Sequence, residues 1–304
     1  MKTLRRIMNG DRFFQTVVTI LMIAFLAIEL YPLIYVISAS FSDGDAVAAG
    51  KLVLLPIGFT LEGYGFVFQN RNIWIGYGNT ILYTVLGTCV NLIVTLPCSY
   101  ALSRKEVPGK GKIMIFFMIT MYIGGGLIPS YLNVKSFGLL NTRLFMIIDG
   151  AVSVYNMIVA KTFFENTVPY EITEAARIDG CNDFGTFSKI VLPLSKALMA
   201  VMVLYYGVGH WNAYFNAMIY LDDSNKYPLQ MFLREILLLS NLVQSSIADG
   251  NLSPEQIEYL EKQAESAELV KYCVIVVAAL PMMIIYPKLQ KFFEKGVMIG
   301  GVKG

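Results

Sequence analysis

The chain has 304 residues, of which 56% are hydrophobic and only 15% are charged. Soluble domains are about a quarter charged, so this composition excludes an ordinary soluble protein and indicates an integral membrane protein. The formal net charge of +2 gives no basis for nucleic-acid binding.

Six charge-poor stretches are each about as long as, or longer than, the roughly 20 apolar residues that a helix needs to cross a bilayer. Because lipid offers no hydrogen-bond partners, the backbone groups of such a stretch must bond to one another, so helices are expected. The sequence therefore predicts an all-α integral membrane fold with six transmembrane helices. The stretches are residues 13–37, 74–102, 113–132, 144–160, 191–221 and 269–287.

The N-terminal stretch has two interpretations. Residues 1–12 are basic, and Ser38, Ala39 and Ser40 are small, as in a cleaved signal peptide. A signal-peptide core contains only about 7–15 apolar residues, whereas this stretch contains about 25. A retained first span is therefore favoured.

The distribution of basic residues predicts the orientation. If the N-terminus lies in the cytoplasm, most of the 24 Lys and Arg residues fall on the cytoplasmic side, as the positive-inside rule requires. An even number of spans returns the C-terminus to that side. The predicted topology is N-in/C-in, with a cytoplasmic N-terminus over residues 1–12 and one transmembrane domain over residues 13–304.

The connections around the second and third spans have distinct compositions. The outer segment 41–73 is rich in aromatic residues and is expected to fold as a cap, because disordered linkers are poor in them. The inner segment 103–112 is predicted as a basic turn. Three glycines at 124–126 and Pro129 interrupt the third span, which indicates either a bent helix along a solute path or close packing between helices.

The inner segment 167–193 has the signals of a compact helix–turn–helix. Thr167 is the predicted N-cap of its first helix, and Gly180 is the expected left-handed stop. Asn182 or Asp183 then caps a second short helix. Such a segment projects into the cytoplasm as a rigid unit.

The first of these helices has a narrow surface. Ala175 and Ala176 permit the close approach of another protein, and Glu174 and Arg177 offer charge-assisted hydrogen bonds. Pro193 is placed in the first turn of span five, where proline is tolerated. The segment is suited to filling a cleft in a motor protein.

These residues resemble a family signature. Glu174-Ala175-Ala176, then Gly180, then Ile190-Val191-Leu192-Pro193 is similar to the EAA signature of binding-protein-dependent ABC importer permeases. In that family the glutamate-containing helix is the coupling helix, which sits in a groove of the ATPase subunit. The resemblance implies an ATPase-coupling role for Glu174, Ala175, Ala176, Arg177, Asp179, Gly180, Leu192 and Pro193.

The resemblance covers nearly the whole chain and is strongest to the MalG-like carbohydrate permeases, in particular the LplC/YtcP-like group. It implies the ABC type I importer (MetI-like) permease fold and a substrate among the oligosaccharides of complex polysaccharides. The implied partners, besides the lipid bilayer, are a second homologous permease subunit, two ABC ATPase subunits and an extracytoplasmic solute-binding protein.

The nucleotide chemistry is expected to belong to those partners. The chain has no GxxxxGK[ST] phosphate loop, so ATP and Mg would be bound by the ATPase subunits. We therefore predict no cofactor in this chain and no enzymatic activity. Its four cysteines have neither CxxC nor metal-ligand spacing, and we interpret them as packing residues.

The outer half of span five is crowded with side chains that suit a sugar. Aromatic faces pack on sugar rings, whereas Asn and His exchange hydrogen bonds with hydroxyl groups. An aromatic belt at the membrane interface is the alternative; the recurrence of Trp211 and Asn212 in the resembling permeases favours the path. The predicted substrate-path residues are Tyr206, His210, Trp211, Asn212, Tyr214 and Phe215.

The acidic segment 222–268 is the predicted extracytoplasmic loop. Ser253, Pro254 and Gln256 predict a helix start within it. In the resembling permeases the corresponding loop reaches into the solute-binding protein, and the glycine-rich C-terminal tail inserts near the ATPase interface.

Two other functions remain open from the sequence. A permease of the same architecture for another solute, such as a glycerol-phosphate compound, would have the same motif. A membrane enzyme would need convergent catalytic or metal-binding side chains, and the single histidine, His210, leaves little room for them.

Overall fold

The computed structural model describes residues 2–248, 270–288, 290 and 291, with side chains for residues 12–238 and those after 269. Every regular element in these residues is helical, which confirms the all-α prediction. Two short helical turns also occur, a π turn at Phe187–Val191 and a 3-10 turn at Ser224–Lys226. The α-helices are α1 (Lys2–Ser40), α2 (Gly44–Ala48), α3 (Glu62–Gln69), α4 (Arg71–Ser103), α5 (Lys110–Tyr122), α6 (Leu127–Ser136), α7 (Arg143–Ile148), α8 (Val154–Thr167), α9 (Tyr170–Ile178), α10 (Asp183–Thr186), α11 (Leu192–Leu194), α12 (Lys196–Trp211), α13 (Phe215–Tyr220), α14 (Leu229–Ala248) and α15 (Val270–Lys288).

Among the described residues, three single helices are long and apolar enough to cross a membrane: Arg12–Ser40 within α1, Arg71–Ser103 and Val270–Lys288. They coincide with the first, second and sixth predicted stretches. If each of two bent pairs, α5 with α6 and the run Asp183–Leu194 with α12, is counted as one span, the described residues contain up to five candidate spans. The count of six and the N-in/C-in topology stay predictions.

The chain forms two compact units. The first consists of the described parts of residues 1–70 and 235–278. In it, the end of α1 carries the folded cap that the aromatic residues predicted. The ring of Phe41 packs 5.7 Å from that of Phe59 and 5.2 Å from that of Tyr64, while the Ser42 hydroxyl donates to the Ser38 carbonyl at 2.6 Å.

The second unit consists of the described parts of residues 71–234 and 279–304. Its central element is α4, which packs against α7, α8 and α12. A buried apolar cluster between α4, α8 and α12 forms the core of this unit; its members include Leu96, Tyr100, Phe164, Phe187, Val191 and Met202. Pro97 lies inside α4 without ending the helix.

The third predicted span is sharply bent. Helices α5 and α6 meet at 114° across residues 123–126. Gly126 has φ +84° and ψ 174°, a backbone region that is essentially restricted to glycine. Of the two alternatives that the glycines left open, the bend is observed, and no side chain of α5 or α6 is buried in the described part of the chain.

The fourth predicted span, residues 144–160, is wrong as a continuous helix. Helix α7 stops at Ile148 because Asp149 is extended and Gly150 has φ +64°. Helix α8 starts anew after Ser153, whose hydroxyl accepts from the Asn156 N–H at 3.3 Å. Mean hydropathy does not register such a break, because the interruption is only a few residues long.

Candidate functional site

The segment with the EAA-like residues contains helix α9, an exposed helix between α8 and α10. Glu171 lies in its first turn, where a carboxylate is favourable beside the positive end of the helix dipole. The prediction that Thr167 caps this helix is wrong. Thr167 is the last residue of α8, and Pro169 occupies the N-cap of α9.

The end of α9 is a Schellman motif. Gly180 has φ +81°, the left-handed conformation expected for it. Its N–H donates to the Arg177 carbonyl at 3.1 Å, and the Cys181 N–H donates to the Ala176 carbonyl at 2.9 Å. The predicted stop is confirmed, and it turns the chain sharply into the next helix.

The second short helix is capped as the sequence allowed, by Asn182. Its side-chain oxygen accepts from the Gly185 N–H at 2.7 Å. Helix α10 continues into the π turn and α11, and the Leu192 N–H donates to the carbonyl of Phe187, five residues earlier. Pro193 has no N–H to continue an α-helix, which accounts for the change of hydrogen-bond register.

Pro193 lies in the first turn of α11, as predicted, and a bend that the sequence did not indicate follows it. The run Asp183–Leu194 meets α12 at 85°. The Ser195 hydroxyl at the bend donates to the Val191 carbonyl at 2.8 Å. Pro193 is exposed, and Leu192 is half-buried against the core.

The outer face of the segment is open to a partner. Glu174 and Ala175 are exposed, whereas Ala176 is buried and fixes the helix to the body of the unit. Two large apolar side chains stand out as well: Ile178 is 87% exposed and Phe184 is 77% exposed. The face therefore combines an acid, a small residue and apolar groups.

One ion pair joins the two short helices. The Arg177 guanidinium donates to an Asp183 oxygen at 3.3 Å, and both side chains are mostly exposed. The hydrogen bond and the charge of Asp183 raise the pKa of Arg177. Exposed pairs of this kind contribute little to folding stability, so we expect its effect to be on the orientation of α10.

A cavity of about 330 Å³ lies between α9, α10 and the end of α4. Arg104 and Glu106 face it from the α4 side, and Thr173, Arg177 and Asp183 face it from the other. The Tyr170 hydroxyl donates a hydrogen bond to the Glu106 carboxylate, which lowers the pKa of Glu106.

The predicted substrate-path residues separate into two groups around the end of α12. Tyr206 and Trp211 are buried, and His210 is half-buried with its Nε2 2.8 Å from the Asn91 side-chain oxygen. Asn212 is exposed just after α12. Tyr214 and Phe215 are also exposed, at the start of α13.

The Tyr206 hydroxyl is engaged within the chain. It lies 2.7 Å from the Thr95 hydroxyl and accepts from the Ser153 N–H at 3.2 Å. It therefore ties α4 to the break between α7 and α8, a structural contact that the sequence did not indicate.

The sequence interpretation also missed a polar stripe on α4. Every fourth residue from Asn79 to Ser103 is buried, in a row that winds along this helix, and the side chains of Asn79, Tyr83 and Asn91 bond to backbone carbonyls outside the α-helices. Asn79 donates to the carbonyls of Asn225 and Tyr227, and Asn91 donates to that of Gly150 at 2.7 Å. The signal that would have revealed it is the four-residue spacing of Asn79, Tyr83, Gly87, Asn91, Thr95, Ser99 and Ser103.

The remaining features of interest are Asp149, the potential metal ligands and the acidic segment 222–268. Asp149 accepts a hydrogen bond from the Asn216 side-chain amide. No group of three or more potential metal ligands occurs among the described residues. The described part of segment 222–268 is largely helix α14, and the helix start predicted at Ser253 and the C-terminal tail lie outside the described residues.

Apolar helices long enough to span a bilayer are the features of an integral membrane protein, and the exposed α9 gives this one a surface open to a partner. Residues 73–299 match the family described as binding-protein-dependent transport system inner membrane component. The chain belongs to this family of inner-membrane ABC transporter permeases.

Similar proteins cover almost the whole chain. The chain is 38% identical over 297 residues to the polygalacturonan/rhamnogalacturonan transport system permease protein YtcP of Bacillus subtilis (strain 168), covering 97% of this chain and 99% of that protein. It is 39% identical over 280 residues to protein LplC of the same organism, covering 91% and 90%. A solved chain of a bacterial ABC transporter involved in the import of the acidic polysaccharide alginate has a TM-score of 0.80 and 36% identity, covering 93% and 98%.

Proposed function

We propose that this chain is one of two membrane-spanning subunits of an ABC importer for carbohydrate, with six spans and both termini in the cytoplasm. Its solutes are oligosaccharides from complex polysaccharides, a class supported by the names of the relatives at 36–38% identity. The other proposed components are a homologous permease, two ATPase subunits that bind ATP and Mg, and an external solute-binding protein.

The observation that carries the proposal is the geometry of α9. This helix exposes Glu174 and Ala175, packs against the unit through the buried Ala176 and ends at Gly180. Such a helix is suited to a cleft in a partner protein. Desolvation by that partner would strengthen the hydrogen bonds of Glu174. Closure of the ATPase dimer on binding ATP would then displace α9 and switch the spans between inward- and outward-facing states.

We place the solute path beside the end of α12. The exposed Asn212, Tyr214 and Phe215 are the groups available to a sugar in the conformation described. The other predicted path residues, Tyr206, His210 and Trp211, pack against α4 and so position the end of α12. The acidic segment 222–268 is the proposed docking element for the solute-binding protein.

Substitutions in α9 test the coupling role in cells that make the complete transporter. We expect Glu174→Ala and Gly180→Leu to abolish uptake while the subunit stays in the membrane. The first removes the charged contact, and the second places a side chain at φ +81°, where L residues are strained. The measurement is uptake of labelled oligosaccharides of galacturonate, rhamnogalacturonan and alginate, with glycerol phosphate in parallel.

The matched control is Glu62→Ala, which removes an exposed first-turn carboxylate from α3 and should transport normally. Wild-type uptake in both α9 variants would contradict the coupling role. Uptake of glycerol phosphate alone would contradict the carbohydrate assignment and leave the permease fold in place.

A further inference from the structure

Arg104 follows directly after the last residue of α4 and contacts both α4 and α8. Its Nε donates to the Ser103 hydroxyl at 3.0 Å, and its Nη2 donates to the Phe164 carbonyl at 3.1 Å. Its guanidinium carbon also lies 4.8 Å from the centre of the Tyr100 ring, within cation–π range. The side chain is half-buried and is fixed by these three contacts.

The Phe164 carbonyl, which accepts the hydrogen bond from Arg104, lies in the last turn of α8. The negative end of a helix dipole favours a cation at this position. Helix α8 ends at Thr167 and α9 begins at Tyr170. Arg104 therefore holds the body of the unit at the point where the chain enters the proposed coupling helix.

The Tyr100 ring, which lies under the Arg104 guanidinium, also contacts the part of the coupling segment that follows α10. Tyr100 packs 5.7 Å from the ring of Phe164 and 5.1 Å from the ring of Phe187, the first residue of the π turn after α10. All three aromatic side chains are buried. The end of α4 is thus in contact with the segment both before α9 and after α10.

The loop after Arg104 faces α9. Lys110 Nζ donates to the Arg104 carbonyl at 2.9 Å, which orders the turn between α4 and α5. Arg104 and Glu106 line the same cavity as Thr173 of α9. The coupling helix therefore lies across this cavity from the loop that Arg104 begins.

We propose that Arg104 is a positioning residue that joins the coupling segment to α4, so that displacement of α9 moves α4. This inference rests on the proposed function. Because α4 packs on α7, α8 and α12, its movement reaches the elements beside the proposed solute path. Arg104 acts through its contacts with Phe164 and Tyr100 and touches neither the solute nor the nucleotide.

The test uses the complete transporter reconstituted in lipid vesicles, with ATP hydrolysis measured without and with solute-loaded binding protein. In Arg104→Met the apolar stem still covers Tyr100 but the charge and the donors are gone. We expect basal hydrolysis and assembly to be retained while the stimulation by loaded binding protein falls about tenfold, because hydrogen bonds from a charged group are lost. Arg104→Lys keeps the cation and should restore part of the stimulation.

Lys105→Met is the matched control, because it removes the same charge from the exposed neighbouring residue; its stimulation should equal that of the wild type. Stimulation in Arg104→Met within about twofold of the wild type, alongside its loss in Glu174→Ala, would overturn the role of Arg104 alone. Normal stimulation of ATP hydrolysis in both Arg104→Met and Glu174→Ala would overturn the proposed function. If Arg104→Met does not assemble, Arg104→Lys decides: reduced stimulation with normal basal hydrolysis supports the inference, and wild-type stimulation overturns it.

Discussion

Gly87 lies in the middle of α4, where the imidazole of His210 approaches the helix backbone. A Cβ atom added at Gly87 would lie 2.8 Å from Nδ1 of that ring and closer still to Cε1 and Nε2. The same imidazole bonds to Asn91, which also donates to the Gly150 carbonyl. The absence of a side chain at residue 87 therefore permits a polar contact between three parts of the unit.

We expect Gly87→Ala to destabilise the subunit by about 1–3 kcal/mol, because overpacking forces the ring of His210 away from Asn91. The measurement is the thermal unfolding midpoint of the purified complex. Gly78→Ala is the control on the same helix, since a Cβ at Gly78 meets nothing within 4 Å. A normal midpoint for Gly87→Ala, or no recovery in the double variant Gly87→Ala/His210→Ala, would contradict this explanation.

At the scale of elements, the unbroken apolar helices were predictable from the sequence, whereas the break in the fourth predicted span was not. Helices α1, α4 and α15 follow from continuous apolar sequence. The break between α7 and α8 depends on the backbone conformations of Asp149 and Gly150, which hydropathy does not report. The polar stripe of α4 was hidden for a related reason, because a few Asn, Thr and Ser residues do not lower the mean hydropathy of a span enough to attract notice.

The bend between α5 and α6 depends on one backbone conformation. We expect Gly126→Ala to cost about 1–3 kcal/mol, because its φ and ψ are accessible almost only to glycine, and to reduce uptake as the two helices lose their relative angle. Gly124→Ala, where a Cβ meets nothing within 4 Å and φ is not positive, should behave as the wild type. Uptake and unfolding midpoints measured for both variants check this, and equal values would show that the bend does not need Gly126.

At the scale of the whole molecule, the sequence indicated the proposed coupling site better than the solute path. The proposed site is local, because the residues from Glu174 to Pro193 form most of it. Capping signals and spacing were therefore sufficient to predict Gly180 as the stop and to limit the next cap to Asn182 or Asp183. The environment of Tyr206 depends on Thr95 and Ser153, which are distant in sequence. No pattern in the sequence around Tyr206 indicates that its hydroxyl forms hydrogen bonds with these distant residues.

The claim on which the account depends is that α9 is held by an ATPase subunit. The most direct measurement places a photoreactive benzoylphenylalanine at Ile178, the most exposed large apolar side chain of α9, in the assembled transporter. We predict a cross-link to the ATPase subunit from this position and none from the same group at Leu55, which is exposed in the proposed outer cap. An intact complex in which position 178 never captures the ATPase would contradict the account.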